Sequence, residues 1–121
     1  MKELDLQRVT DEVERMCIEG NYFIGKEVLD KIKEAYAKEE SEVGKNILGQ
    51  IIENDEIAAN EQVPMCQDTG IVVVFLEVGT EVRIPGDIYA AINEGVRRGY
   101  EKGYLRKSVV KDPLDRDRKS V

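Results

Sequence analysis

Histidine is absent from all 121 residues, and with it go the commonest general base, the commonest zinc ligand and any Ser-His-Asp or Cys-His arrangement drawn from this chain alone. Tryptophan is absent too, proline occurs three times and cysteine twice. Two thiols, at Cys17 and Cys66, are too few for a disulfide-stapled mini-domain. No apolar run approaches the roughly 18 residues of a membrane span, and the acidic start Met1-Lys2-Glu3-Leu4-Asp5 is unlike a signal or transit peptide. A cytoplasmic protein away from any membrane is expected, in which the two cysteines are free thiols or metal ligands. The chemistry of such a chain has to come from carboxylates, thiols, hydroxyls or arginines.

What is present describes one modest globular domain, since 41% of residues are apolar and 36% charged. The net charge of −7 argues against nucleic acid as a partner, but the average conceals a reversal. Residues 1–96 hold 9 basic and 21 acidic side chains, a net of −12, whereas residues 97–121 hold 9 basic and 4 acidic, a net of +5. That cationic ending is either a solvated helix end and tail or a surface for a small anion or acidic partner.

Along the chain, Leu4, Leu6, Val9, Val13, Met16 and Cys17 recur at helical spacing, and Gly20-Asn21 is expected to stop that helix. A second helix is expected from about Lys26 to Glu40, with Val28, Leu29, Ile32, Ala35 and Tyr36 on one face. Ser41 caps a third, whose stripe is Val43, Ile47, Leu48, Ile51 and Ile52. The period then changes: Ile71 to Val78 is a β-branched and aromatic run that predicts a buried strand, with Glu81 to Ile84 as its partner and Pro85-Gly86 ending it. Asp87 caps a further helix to about Lys102, with Ile88, Ala91, Ile92 and Val96 buried. Leu105 to Val110 is strand-like and a charged tail follows, in which Arg-Lys-Ser-Val, first seen at 106–109, recurs at 118–121. The expected class is α+β: residues 1–62 mainly helical, residues 63–121 a loop, a small sheet, a helix and a basic tail. An ending in Asp115 to Val121 with nothing to pack it down suggests part of a larger catalytic domain.

The chemistry concentrates in Pro64-Met65-Cys66-Gln67-Asp68-Thr69-Gly70, where thiol, amide, carboxylate and hydroxyl share one connection between rigid elements. Gly70 permits close backbone approach or a sharp turn. The plain structural alternative is a Pro-initiated turn with an Asx-turn at Asp68 and Cys66 as filler. Asp68-Thr69-Gly70 also spells the aspartic-protease tripeptide, but there the carboxylate follows an apolar strand, not a helix-rich half. Cys17, spaced with Val13 and Met16, is expected to be a buried apolar residue and no ligand. Tyr89, Tyr100 and Tyr104 are expected to pack a helix edge.

Taken as a whole, Pro-x-Cys-Gln-Asp-Thr-Gly followed at once by an apolar strand resembles the signature of the class I, iron–sulfur-dependent fumarate hydratases, a family that includes the L-tartrate dehydratases. The resemblance extends through Asn46-Ile47-Leu48, Ile57-Ala58-Ala59, Gly95 to Tyr100, Leu105-Arg106-Lys107-Ser108 and Asp112-Pro113-Leu114. It implies an N-terminal portion, residues 1–121, of an alpha-type catalytic domain in a homo-oligomeric hydro-lyase of the tricarboxylic acid cycle that interconverts fumarate and L-malate. Within it, Cys66 would be one of three thiolates on a [4Fe–4S] cluster whose open iron acts as a Lewis acid. Gln67 and Asp68 would touch the dicarboxylate substrate or its leaving oxygen, with Asp68 the catalytic candidate, and Arg106 would clamp a carboxylate. Thr69 would shape the loop or reach a sulfur or the substrate. Arg106 has a plainer alternative, surface pairing with Asp112 and Asp115.

By the same resemblance, the other two cluster cysteines lie farther along the chain and the base belongs to a C-terminal part or a separate beta subunit, so these residues alone would be inactive and their uncovered apolar surface would self-associate. Tartrate dehydration is the neighbouring alternative. A non-catalytic helical interaction module is the alternative from another class; it predicts that Asp68→Asn and Arg106→Ala are silent while charge reversals in residues 97–119 abolish association.

Overall fold

The computed structural model describes residues 1–68, 70–110 and 112–114. Thr69, Lys111 and residues 115–121, with Asp115 and the second Arg-Lys-Ser-Val, lie outside the described residues. In chain order the described elements are β1 (Lys2–Glu3), α1 (Leu6–Tyr22), α2 (Lys26–Lys38), α3 (Glu42–Glu61), β2 (Val82–Arg83) and α4 (Ile88–Lys102). This is the α+β class expected. Two compact units result, one of Met1–Ile18 with the described residues from Gln67 onward, the other of Glu19–Cys66.

In the first unit α1 starts where Asp5 Oδ1 accepts the N–H groups of Gln7 (3.1 Å) and Arg8 (3.3 Å), capping donors that have no partner inside the helix. The stop expected at Gly20-Asn21 is not obeyed, because a glycine inside a helix costs only about 1 kcal/mol relative to alanine, and α1 runs on to Tyr22. Asp87 caps α4 as expected, accepting from the Ala90 N–H at 3.2 Å. The buried residues of α4 are Gly95, Val96, Gly99 and Tyr100. They meet α1 at very close range: a Cβ built on Gly95 would lie 2.6 Å from the Thr10 carbonyl oxygen, and one on Gly99 would lie 2.8 Å from Cys17 Cβ. The buried Thr10 hydroxyl donates to the Ala91 carbonyl at 2.8 Å, spanning the two helices.

The end of α4 is set by geometry rather than by its glycine. Gly103 sits at the C-cap with ordinary negative φ, and the left-handed residue is Tyr104, at φ 55. The Leu105 N–H then donates back to the Tyr100 carbonyl at 3.1 Å, the hydrogen bond of a Schellman ending, and both side chains are buried. So Leu105 begins a return loop, and the strand-like stretch expected at 105–110 forms no ladder. An exposed tyrosine in a left-handed conformation is strained. Tyr104→Gly is therefore expected to stabilise the fold by about 0.5–1 kcal/mol, measured as a rise in the thermal midpoint; a lowered midpoint would show that the ring makes contacts worth more than the strain.

The expected strand Ile71–Val78 is a second correction. The segment carries no ladder, and Val82–Arg83 pairs instead in parallel with β1, Lys2 opposite Val82 and Glu3 opposite Arg83. Exposure nevertheless alternates: Ile71, Val73 and Phe75 are 81%, 69% and 94% exposed, while Val72, Val74 and Leu76 are 38%, 43% and 51% exposed. Val72 and Val74 line a hollow with Ile92 and Val96 of α4 and with Val109. The run thus has the period of a strand, but the segment is not the buried one expected, because a strand needs a backbone partner and a cover on its second apolar face.

Among the described basic residues from Arg97 onward, Arg97, Arg98, Lys102 and Lys107 stand against carboxylates. Arg97 and Arg98 contact Glu94 at 2.6 and 3.0 Å, and their hydrogen bonds hold the Glu94 carboxyl down at about 2. Lys102 meets Glu14 at 2.7 Å and Lys107 meets Glu101 at 3.8 Å. These four cations are paired as on a solvated helix end. Of the tyrosines expected to pack there, Tyr100 is buried while Tyr89 and Tyr104 are exposed.

The second unit is built on α2 packed against α3. Ser41 caps α3 as expected, its hydroxyl accepting the Gly44 N–H at 3.3 Å. The short link lets Tyr36 lie close to Gly49 and carry Lys45 over its ring at 5.0 Å. The stripe expected to be buried on α3 is covered only in part. Leu48 and Ile52 are half-buried, Val43, Ile47 and Ile51 are exposed, and the residues that α3 buries are Asp55 and Ala58.

Candidate functional site

The motif begins at the end of α3. Gln62 takes a left-handed conformation at φ 54, and its N–H still reaches the Ala58 carbonyl. The Val63 N–H reaches the same oxygen at 3.1 Å, and Pro64, which has no N–H to satisfy, carries the chain away from the helix. Met65 is then tied on both sides: its N–H donates to the Asn21 carbonyl near the end of α1 at 2.8 Å, and its carbonyl accepts Asn54 Nδ2 from α3 at 2.6 Å. The next residue is Cys66, exposed and free of any disulfide.

The boundary between the two units falls between Cys66 and Gln67. Beyond it, Arg106 Nη1 donates to the Gln67 carbonyl at 3.3 Å. The Schellman ending of α4 makes this contact possible, since Tyr104 turns the chain two residues before Arg106. Asp112, expected as a surface partner for Arg106, accepts the Leu114 N–H at 2.9 Å. Gln67 and Asp68 are exposed, and Gly70 has φ +37, the left-handed region where glycine is the unstrained choice.

Of the residues singled out from the sequence, Cys66, Gln67 and Asp68 are consecutive and exposed, and Arg106 reaches the Gln67 carbonyl from 39 residues away. Asn54 was not singled out. A lone asparagine on a helix, eleven residues before the carbonyl it binds, leaves no periodic or motif signal.

Among the described residues no group of three or more His, Cys, Asp or Glu stands together to hold a metal. Burial pushes the half-buried Cys17 thiol up, which opposes the thiolate a metal needs. Of the two thiols, Cys66 is the exposed one, on a segment tied down by hydrogen bonds, so it is the one whose chemistry would suit a single thiolate ligand. No helix among the described residues is long and apolar enough to cross a membrane.

Comparison with known proteins gives a consistent outcome. The profile of the family described as fumarate hydratase (Fumerase) matches residues 10–120. A protein of Methanocaldococcus jannaschii, provisionally named as L(+)-tartrate dehydratase subunit alpha, is 40% identical over 112 residues, covering 91% of this chain and 39% of the relative. The L(+)-tartrate dehydratase subunit alpha of Escherichia coli is 31% identical over 84 residues, covering 69% of this chain and 28% of that one. The same figures hold for the protein of that name in Shigella boydii. This chain thus spans about two fifths or less of the length of these relatives.

Proposed function

Given that the chain belongs to the fumarate hydratase (Fumerase) family, we propose that it is part of a hydro-lyase that adds or removes water across a four-carbon dicarboxylic acid, with fumarate and L-malate as the pair. The observation that supports this best is Arg106 drawn to the Gln67 carbonyl beside the exposed Asp68.

In this reading Cys66 contributes one of three thiolates to a [4Fe–4S] cluster, the other two coming from farther along the same subunit. When bound, that cluster supplies a Lewis-acidic iron that eases departure of a hydroxyl. This chain's own residues hold the substrate. Arg106 spends Nη1 on the Gln67 carbonyl and has further N–H donors of its fork for a carboxylate. The Gln67 carboxamide can donate to a substrate carboxylate and accept from its hydroxyl. Asp68, an exposed carboxylate next in the chain, is placed to accept a hydrogen bond from the leaving or entering water. Such a subunit works with a beta subunit or a C-terminal part that brings the base, in a homo-oligomeric enzyme.

The names of the relatives favour a second reading, in which the substrate is L-tartrate. L-Malate and L-tartrate share the carboxylates that Arg106 would bind and differ in one hydroxyl. The deciding experiment is anaerobic turnover by the complete enzyme with fumarate and with L-tartrate. Fumarate hydration supports the first reading and exclusive tartrate dehydration the second; turnover of neither overturns both. In the active assay, Arg106→Ala is expected to raise KM by about 10- to 100-fold, the loss of a charge-assisted hydrogen bond worth about 1.5–3 kcal/mol. An unchanged KM would return Arg106 to a purely structural part.

A further inference from the structure

We infer that Asn54 is a positioning residue for Cys66, an inference that rests on the reading of Cys66 as a ligand. The peptide group is planar, so the Met65 carbonyl oxygen, the Cys66 N–H and the Cys66 Cα move as one body. Asn54 Nδ2 holds that oxygen at 2.6 Å. The preceding peptide is held from its other side, by the Met65 N–H on the Asn21 carbonyl at 2.8 Å, and Pro64 before it has its φ fixed by its ring. What remains free at Cys66 is its own backbone and side-chain rotation. A thiol so mounted presents its sulfur from a fixed base, as partners of ligand residues do in metal sites generally.

Two features separate this from ordinary packing. Asn54 is exposed on α3, so shortening it opens no cavity, and alanine is the better helix former. The contact also needs a donor: aspartate at this position would set a carboxylate oxygen against a carbonyl oxygen. Asn54→Ala and Asn54→Asp should therefore fail alike at Cys66 while leaving the fold intact.

The test uses the complete enzyme with its partner, metal-free and after anaerobic reconstitution with limiting iron and sulfide, comparing the native protein with Asn54→Ala, Asn54→Asp and Cys66→Ser. Both Asn54 variants are expected to bind iron and sulfide about tenfold or more weakly. In the metal-free protein, hydrogen exchange over residues 65–67 is expected to be about fivefold faster, as for one lost hydrogen bond, with the thermal midpoint unchanged. Native loading, native exchange, or a midpoint that falls in parallel with loading would each overturn the positioning role. If Cys66→Ser loads as the native protein does, the ligand reading falls, and the exchange rates of the metal-free variants still decide whether Asn54 holds this loop.

Discussion

Cys66→Ser in the complete enzyme is expected to abolish turnover, by at least about a thousandfold, and to remove iron and sulfide from the protein. The size follows from what the residue is asked to do. A bound metal acting as a Lewis acid contributes several kcal/mol to the barrier, and each 1.36 kcal/mol is a factor of ten in rate. Serine nearly preserves shape, so packing does not confound the result, but its hydroxyl is a hard donor that stays protonated where a soft thiolate is required. The exposed position of Cys66 argues the same way, since a surface loop loses little stability on such a change. Cys17→Ser is the control: a half-buried thiol pushed up by burial, against Gly99 of α4, should keep both cluster and activity. Iron and sulfide content measured beside turnover separates the outcomes. A cluster and activity indifferent to Cys66→Ser would reduce the motif to a turn begun by Pro64.

The helices were legible because their signals are local. Ser41 and Asp87 cap α3 and α4 as their side chains predict, and the apolar period places α1, α2 and α4 within a few residues of where they lie. What was not legible depends on partners remote in sequence. Ile71–Val78 reads as a strand in every local respect, and its alternating exposure keeps that period, but among the described residues no backbone pairs with it. β1 is two residues long, too short to carry a pattern, and exists because Val82–Arg83 comes alongside it. The left-handed Tyr104 defeats the usual expectation that the adjacent Gly103 takes that conformation. At the site, the sequence marks Cys66, Gln67 and Asp68 because they are contiguous, and it marks Arg106 only through family resemblance. The tether from Asn54 needed the α3 ending and the loop to be built together before it could be seen.

Glycines in this chain should respond to substitution in opposite directions, and Gly95 should respond most. A Cβ at Gly95 would lie 2.6 Å from the Thr10 carbonyl oxygen and 2.7 Å from Val13 Cβ. The first neighbour is the backbone of α1 and cannot rotate aside, so the helices must separate. Separation also breaks the Thr10 hydroxyl bond to the Ala91 carbonyl and loosens the buried Val13 and Val96. Overpacking by one methyl costs about 1–3 kcal/mol, offset by about 1 kcal/mol of helix propensity, so Gly95→Ala should destabilise by up to about 2 kcal/mol. Gly95→Val adds two further methyls at the same point and should cost about 3 kcal/mol or more, a large share of the roughly 5–15 kcal/mol that holds a domain together. Gly20, also helical, has nothing within 4 Å of a built Cβ. There alanine should stabilise by about 0.5–1 kcal/mol. Thermal unfolding of the three variants checks the ordering Gly20→Ala above native above Gly95→Ala above Gly95→Val. If Gly95→Val melts with the native protein, α1 and α4 do not meet at that glycine, and the crossing that carries Arg106 round to the Gln67 carbonyl would need another anchor.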